Sequence, residues 1–412
     1  MLKMIKTKGN WCALLSFVMA FSATACGGSP SNSGKEEGNI TDNFVNYIDP
    51  EQAKYEFGFK EMVTPYYLGN VIYNETVLLE DDGTNISGKL QYAPVKILSV
   101  RDFSLKTEYS TEDYSFSGNV LTAKRGSNLP YLTTENLKGN EIPAPYKRVD
   151  TISNVLTDYM MMAGTIYTES PLLYGNQVSV SYVYDVRDLK LDEFASYEKS
   201  GMPKLKEKLK NGEDVNIVVT GDSVAEGCSS SGHMKREPYM DNWATQLQKG
   251  LQEKYTSTIN LSNQAVGGKT SLWGCDAPQV NKIKAANPDV VFIHFGINDL
   301  GSSYSPIAFM DNINALILEV QGANPDCEFV IIKAFTPNGI SYDQNTLATY
   351  WKRMDDLAKT VDNVYTLDMF TQSMSMLKVK KYMDVTGNGI NHVNDFTSRL
   401  YTMNLLGALI DY

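Results

Sequence analysis

The stretch "VNIVVTGDSVAEG", Val215 to Gly227, runs β-branched residues straight into a small acidic turn that presents Ser223. A short apolar run bounded by turn residues reads as a buried strand, and the segments after it decide the class of fold. Further apolar runs, "TINLSNQAVGG", "DVVFIHFGIND" and "CEFVIIKAF", alternate with helical patterns near "MDNWATQLQKGLQEKY" and "PIAFMDNINALILEV". In the second pattern Ile313, Leu316, Ile317 and Val320 form one apolar stripe. Ahead of the opening strand, "MPKLKEKLKNG" is a short charged helix with Pro203 at its start and Gly212 past its end. Strand, helix, strand in this rhythm implies a parallel sheet covered on both faces.

In such a sheet the reacting groups gather at the carboxyl ends of strands, and three of these ends carry unusual turns. Gly221-Asp222-Ser223 heads a helix, so the serine Oγ and its backbone amide can share one cleft. Gly267 and Gly268 let backbone amides approach a ligand closely. Gly296 frees the turn before Asn298, whose side-chain amide is a neutral donor. A serine needs a base, and the histidines are His233, His294 and His392. His294 lies inside a strand and reads as structural. His233 sits in the polar loop "SSSGHMKREP", which reads as rim, and His392 lies on a loop before a C-terminal helix, able to return to the sheet edge.

Gly221-Asp222-Ser223, Gly268, Gly296-Ile297-Asn298-Asp299 and His392, in this order, resemble the four blocks of the SGNH (GDSL) hydrolases. The resemblance covers roughly residues 213 to 412 and implies a flavodoxin-like α/β/α domain. It implies Ser223 as nucleophile, His392 as general base, and an oxyanion hole made of the Ser223 amide, the Gly268 amide and the Asn298 side chain. Neither metal nor cofactor is needed for that chemistry. The G-x-S-x-G elbow of α/β-hydrolases is absent around Ser223. The family commonly carries an aspartate three residues before the histidine, and here that place holds Gly389. Asp384, Asp395, a backbone carbonyl and Asn388 are the candidates to orient His392.

From about Asn46 to Asp188 the chain is rich in tyrosine, threonine and valine. Asp82-Gly83 between two strand-like runs is a hairpin signal. "NQVSVSYVYDV" places Val178, Val180, Tyr182 and Tyr184 on one face and Gln177, Ser179 and Ser181 on the other, a half-buried strand of a sandwich or barrel. The expected organisation is a signal peptide over 1–25, a lipidated tether over 26–45, a jelly-roll-like β-sandwich over 46–195 and the hydrolase domain over 196–412.

The leader has Lys3, Lys6 and Lys8, an apolar core from Trp11 to Phe21 and small residues before Cys26. That core is too short to span a bilayer and reads as a secretory signal. "ATACGG" resembles the bacterial lipobox, with Ala23 where leucine is usual, and implies a diacylglyceryl group on Cys26. "GGSPSNSGKEEGN" is then a flexible tether, and the expected location is the cell envelope, facing the periplasm or the outside. Losing the leader takes the formal charge of the 412-residue chain from −11 to −14. Such a surface repels phosphate backbones, so nucleic acid is not an expected partner. Cys228 and Cys275 are the pair for one disulfide, with two free thiols as the equal alternative.

Asp222 and Asp299 read as turn-fixing groups, Trp273 as a packing residue with sugar stacking as the minor alternative, and Tyr239 and Trp243 as core. A lipoprotein with an all-β region ahead of the hydrolase resembles two-domain carbohydrate esterases. The expected activity is a serine esterase removing O-acetyl groups from polysaccharide or oligosaccharide. The rival readings are a non-catalytic glycan-binding lipoprotein on a vestigial hydrolase fold, a partner-binding lipoprotein in which the β-region acts, and a lipase or esterase for other esters.

Overall fold

The four apolar runs become strands of one parallel sheet in the computed structural model, which describes residues 41, 44–191, 194 and 201–412. They are β1 (Val215–Gly221), β2 (Ile259–Asn263), β3 (Val290–His294) and β4 (Glu328–Lys333), joined by an edge strand, β5 (Val364–Asp368). The order is β2-β1-β3-β4-β5, with every neighbouring pair parallel. This is the flavodoxin-like arrangement, whose strand order reverses beside β1. The crevice between the carboxyl ends of β1 and β3 is therefore the place for chemistry, and Gly221 pairs with His294 there. The leader, Cys26, nearly all of the tether and the 195/196 junction lie outside the described residues.

Burial explains the sheet. Val290, Val291, Phe292 and Ile293 of β3 are all solvent-free, and each such side chain contributes about 1.5–3 kcal/mol through removal from water. Helix α1 (Pro203–Asn211) starts with its proline and ends on Gly212, as its sequence predicts. Helices α2 (Trp243–Lys254), α3 (Pro306–Ala323) and α4 (Gln344–Ala358) come next, and the α3 stripe of Ile313, Leu316, Ile317 and Val320 is buried. Trp243 is core, but Tyr239 is 57% exposed, contrary to expectation: it precedes α2 instead of lying on it.

The N-terminal region is built mainly of strands in three small sheets. Strands Glu80–Asp81 and Ile86–Lys89 pair antiparallel around the Asp82-Gly83 turn. Gln177–Tyr184 is the central strand of a three-stranded antiparallel sheet, flanked by Val71–Leu78 and Pro94–Asp102. It differs from the half-buried strand expected: all eight residues are buried. Its polar face meets the C-terminal part of the chain, where Gln177 Nε2 donates to the carbonyls of Met383 (2.7 Å) and Thr386 (2.8 Å). Residues of both regions share one hydrophobic cluster.

The last helix, α5 (Asp395–Leu409), is wedged into this shared core. Every residue from Phe396 to Leu409 is buried. The Arg399 guanidinium donates to the Asn74 carbonyl at 3.2 Å and lies over the rings of Phe57 and Phe396. Burial pulls its pKa down to about 10. Thr402 Oγ1 donates to the Trp243 carbonyl, and Asn404 Nδ2 to Gln372 Oε1 at 2.7 Å, so these polar groups are satisfied.

Candidate active site

The serine turn is set by a close approach of two strands. A Cβ at Gly221 would lie 2.4 Å from the His294 carbonyl oxygen, so only glycine lets β1 run this near β3. Asp222 then caps the short helix Ser223–Glu226 by accepting the Val224 amide at 3.0 Å. Asp222 Oδ1 also meets His294 Nδ1 at 3.1 Å, and His294 Nε2 faces the Tyr401 hydroxyl at 3.4 Å. That hydroxyl accepts the Phe335 amide at 2.8 Å. All three side chains are buried, so this chain of contacts lies behind the serine turn and holds it.

Ser223 Oγ lies 2.9 Å from His392 Nε2. The structure thus brings together the two residues expected as nucleophile and base, 169 positions apart. The other expected oxyanion donors sit on the same edge of the sheet. Gly267 packs against Ser223, and Glu226 Oε2, on the serine's own short helix, accepts the Gly267 amide at 2.6 Å. The next residue is Gly268. Among the described residues, neither its amide nor that of Ser223 enters a backbone hydrogen bond. Asn298 Nδ2 donates to the Lys269 carbonyl at 3.0 Å, which ties it to the same turn, and its second N–H remains available.

The carboxylate beside His392, the expected base, comes from the N-terminal region. Glu169 Oε1 lies 3.1 Å from His392 Nδ1, at ion-pair distance though off the N–H axis of a linear hydrogen bond. Asn388 Nδ2 donates to the same oxygen at 3.3 Å, and Ser229 Oγ approaches Oε2 at 3.5 Å. Burial raises the Glu169 pKa, but the adjacent His392 ring, then Asn388 and Tyr167, outweigh it and hold the carboxyl below its usual value. Tyr167, beside it, is pushed up to about 12 by burial and then by the charge of Glu169.

The expected orienting acids are used elsewhere. Asp384 accepts the Leu78 amide at 2.8 Å and the Lys381 amide at 2.9 Å, which fixes the junction of the two regions. Asp395 accepts the Ser231 amide at 2.8 Å, and burial lifts its pKa to about 6. Asn388 Oδ1 takes the backbone amides of Ile390, Asn391 and His392, each at 3.0 Å, so it shapes the histidine loop and leaves the ring alone. Glu169 and Glu226 were not among the expected site residues. The one sequence sign of Glu169 is negative, a glycine where an acid is usual.

His233 is exposed, 3.9 Å from Cys228 Sγ. Cys228 and Cys275 are both free, so the disulfide does not form. Cys228 is pushed up to about 12 by burial and by Glu226, Glu169 and Asp222, which keeps it a thiol and a poor rival nucleophile. Asp299 holds the Ser271 and Gly296 amides. Trp273 is partly buried against the edge of Phe295. A cavity of about 290 Å³ lined by Tyr47, Ile48, Lys60, Tyr66 and Met403 contains none of the site residues. Among the described residues, no group of three or more histidine, cysteine, aspartate or glutamate side chains is placed to hold a metal ion.

Residues 219–395 match the GDSL-like Lipase/Acylhydrolase family. The C-terminal part of the chain carries a GDSL-like hydrolase domain. Among curated proteins none matches the chain in sequence. Among solved structures, a two-domain esterase active on acetylated mannans, crystallised with mannopentaose, is similar at 20% identity and a TM-score of 0.39, over 52% of this chain and 55% of its own. The acetyl xylan esterase AlAXEase shows 19% identity and a TM-score of 0.38, over 47% of this chain and 100% of its own. Esterase EstA from Pseudoalteromonas sp. shows 16% and 0.34, over 47% and 96%. Glu169 lies outside the span of the GDSL-like match.

Proposed function

We propose that this protein is a serine esterase that removes O-acetyl groups from carbohydrate, acting at the bacterial cell envelope and anchored through lipid on Cys26. The observation that carries the reading is the 2.9 Å contact between Ser223 Oγ and His392 Nε2 at the carboxyl edge of the parallel sheet. Ser223 Oγ attacks the ester carbonyl carbon while His392 Nε2 takes its proton. The developing oxyanion is met by the Ser223 and Gly268 amides and the Asn298 side chain. The carbon–oxygen bond to the sugar then breaks, and His392 returns the proton to the departing sugar oxygen. Water, deprotonated by the same imidazole, attacks the acetyl-serine, releasing acetate and restoring Ser223. A positioned base contributes about 10²–10⁴-fold, and one oxyanion donor about 3 kcal/mol.

Asp222, Glu226 and Glu169 surround the serine turn, so the site has negative surroundings. Like charges repel, which favours an uncharged acetylated glycan over an anionic substrate. Glu169 beside His392 supplies the carboxylate that Gly389 does not, which favours a working esterase over a vestigial glycan-binding fold. The test is acyl-length dependence on chromogenic esters together with acetate release from acetylated xylan. Acetyl esters turned over at least tenfold faster than octanoyl esters support the reading. A preference for the longer chain transfers the protein to the lipase alternative.

A further inference from the structure

We propose that Glu169 is the positioning residue for His392, so that the base of the GDSL-like domain is completed by the N-terminal strand-rich region. The proposal rests on the serine-esterase reading above for its kinetic consequences. Its geometric basis begins at Gly389, the place of the usual aspartate. There φ is +88°, and a Cβ would stand 2.0 Å from the Ile166 carbonyl oxygen and 2.9 Å from a Leu173 methyl. No carboxylate side chain fits at this position, because the backbone of strand Thr165–Tyr167 occupies the space. The strand that excludes an acid there carries its own acid two residues past its end.

The docking is reciprocal. The Thr168 amide donates to the Asn388 carbonyl at 3.1 Å, and Asn388 Nδ2 returns to Glu169 Oε1. Asn388 thus ties the loop holding His392 to the segment holding Glu169. Among the described residues, His392 Nδ1 has no hydrogen-bond partner that competes with this carboxylate. A carboxylate at Nδ1 keeps the proton on that nitrogen, leaves Nε2 free to accept from Ser223, and stabilises the imidazolium formed during attack.

The experiment compares wild type with Glu169→Gln and Glu169→Asp on a chromogenic acetyl ester across pH, beside a ¹⁵N-resolved titration of His392. Expected for Glu169→Gln are a fall in kcat of about 10²-fold or more, a KM within about threefold, and an acid limb moved to lower pH. Expected for Glu169→Asp is partial recovery of kcat. The His392 titration midpoint drops in Glu169→Gln whether or not the ester is turned over. A kcat within threefold of wild type with an unmoved acid limb, or an unmoved His392 midpoint in folded protein, overturns the proposal. A moved midpoint in a protein inert on all esters upholds the pair and overturns the esterase reading instead.

Discussion

Two histidines in this molecule face a carboxylate through Nδ1 at the same 3.1 Å, and their other nitrogens meet opposite surroundings. His294 is wholly buried, its Nε2 turned to the Tyr401 hydroxyl in the core. His392 is partly open, its Nε2 turned to Ser223 Oγ. The carboxylate partner therefore does not distinguish the two rings; what lies at the other nitrogen does. Their acids differ in origin too. Asp222 sits one residue before the serine, on the same turn, whereas Glu169 arrives from a distant region of the chain. One pair lies behind the serine turn, and the other faces Ser223 Oγ, where the proposed mechanism uses it to deprotonate the hydroxyl.

The contrast breaks first at His392. His392→Ala is expected to lower kcat by about 10⁴-fold or more on an acetyl ester with little change in melting temperature, since its ring is at the surface of the cleft. If kcat falls less than tenfold, the assignment of the two rings is wrong. Next in size is Gly389→Ala, which forces a methyl into the Ile166 carbonyl at positive φ. Denaturant titration should show a loss of about 2–4 kcal/mol. An unchanged midpoint would mean that the two regions do not dock as described.

His294→Ala sharpens the comparison from the other side. It leaves Asp222 and Tyr401 buried without their shared partner, an expected loss of about 1–3 kcal/mol by denaturant titration. Its kcat should drop far less than that of His392→Ala. The smallest effect is in the pH dependence of stability. The folded pKa of Glu169 is lowered, so this group stabilises the fold above its unfolded value of about 4.3, and the gain is lost as pH falls through the folded value. The melting-temperature gap between wild type and Glu169→Gln should be open near pH 6 and close on acidification. A gap that widens toward low pH has the wrong sign.

Much of the α/β part was legible because its signals are local. Apolar runs of β1, β3 and β4 declare buried strands, and Ser223, Gly268 and Asn298 sit on turns that follow strands, with His392 on the loop before α5. Strand β5, "VYTLD", has a weak signal because it is an edge strand with only Val364 and Leu367 buried. Glu169 was illegible for a different reason. Nothing in "TES" distinguishes it from a surface acid, and its role depends on contacts formed 219 positions away at Asn388. The polar face of Gln177–Tyr184 misleads in the same way, since period two reports one apolar face but not what covers the other. Asp384 and Asp395 were plausible by proximity in sequence, yet backbone amides claim both.

The most direct measurement is acetate release from acetylated xylan and from a chromogenic acetyl ester, by the purified protein, beside Ser223→Ala. The account predicts turnover by wild type and a loss of about 10⁴-fold or more in the variant. Turnover that survives Ser223→Ala, or a wild type inert on acetyl esters of every backbone offered, contradicts it.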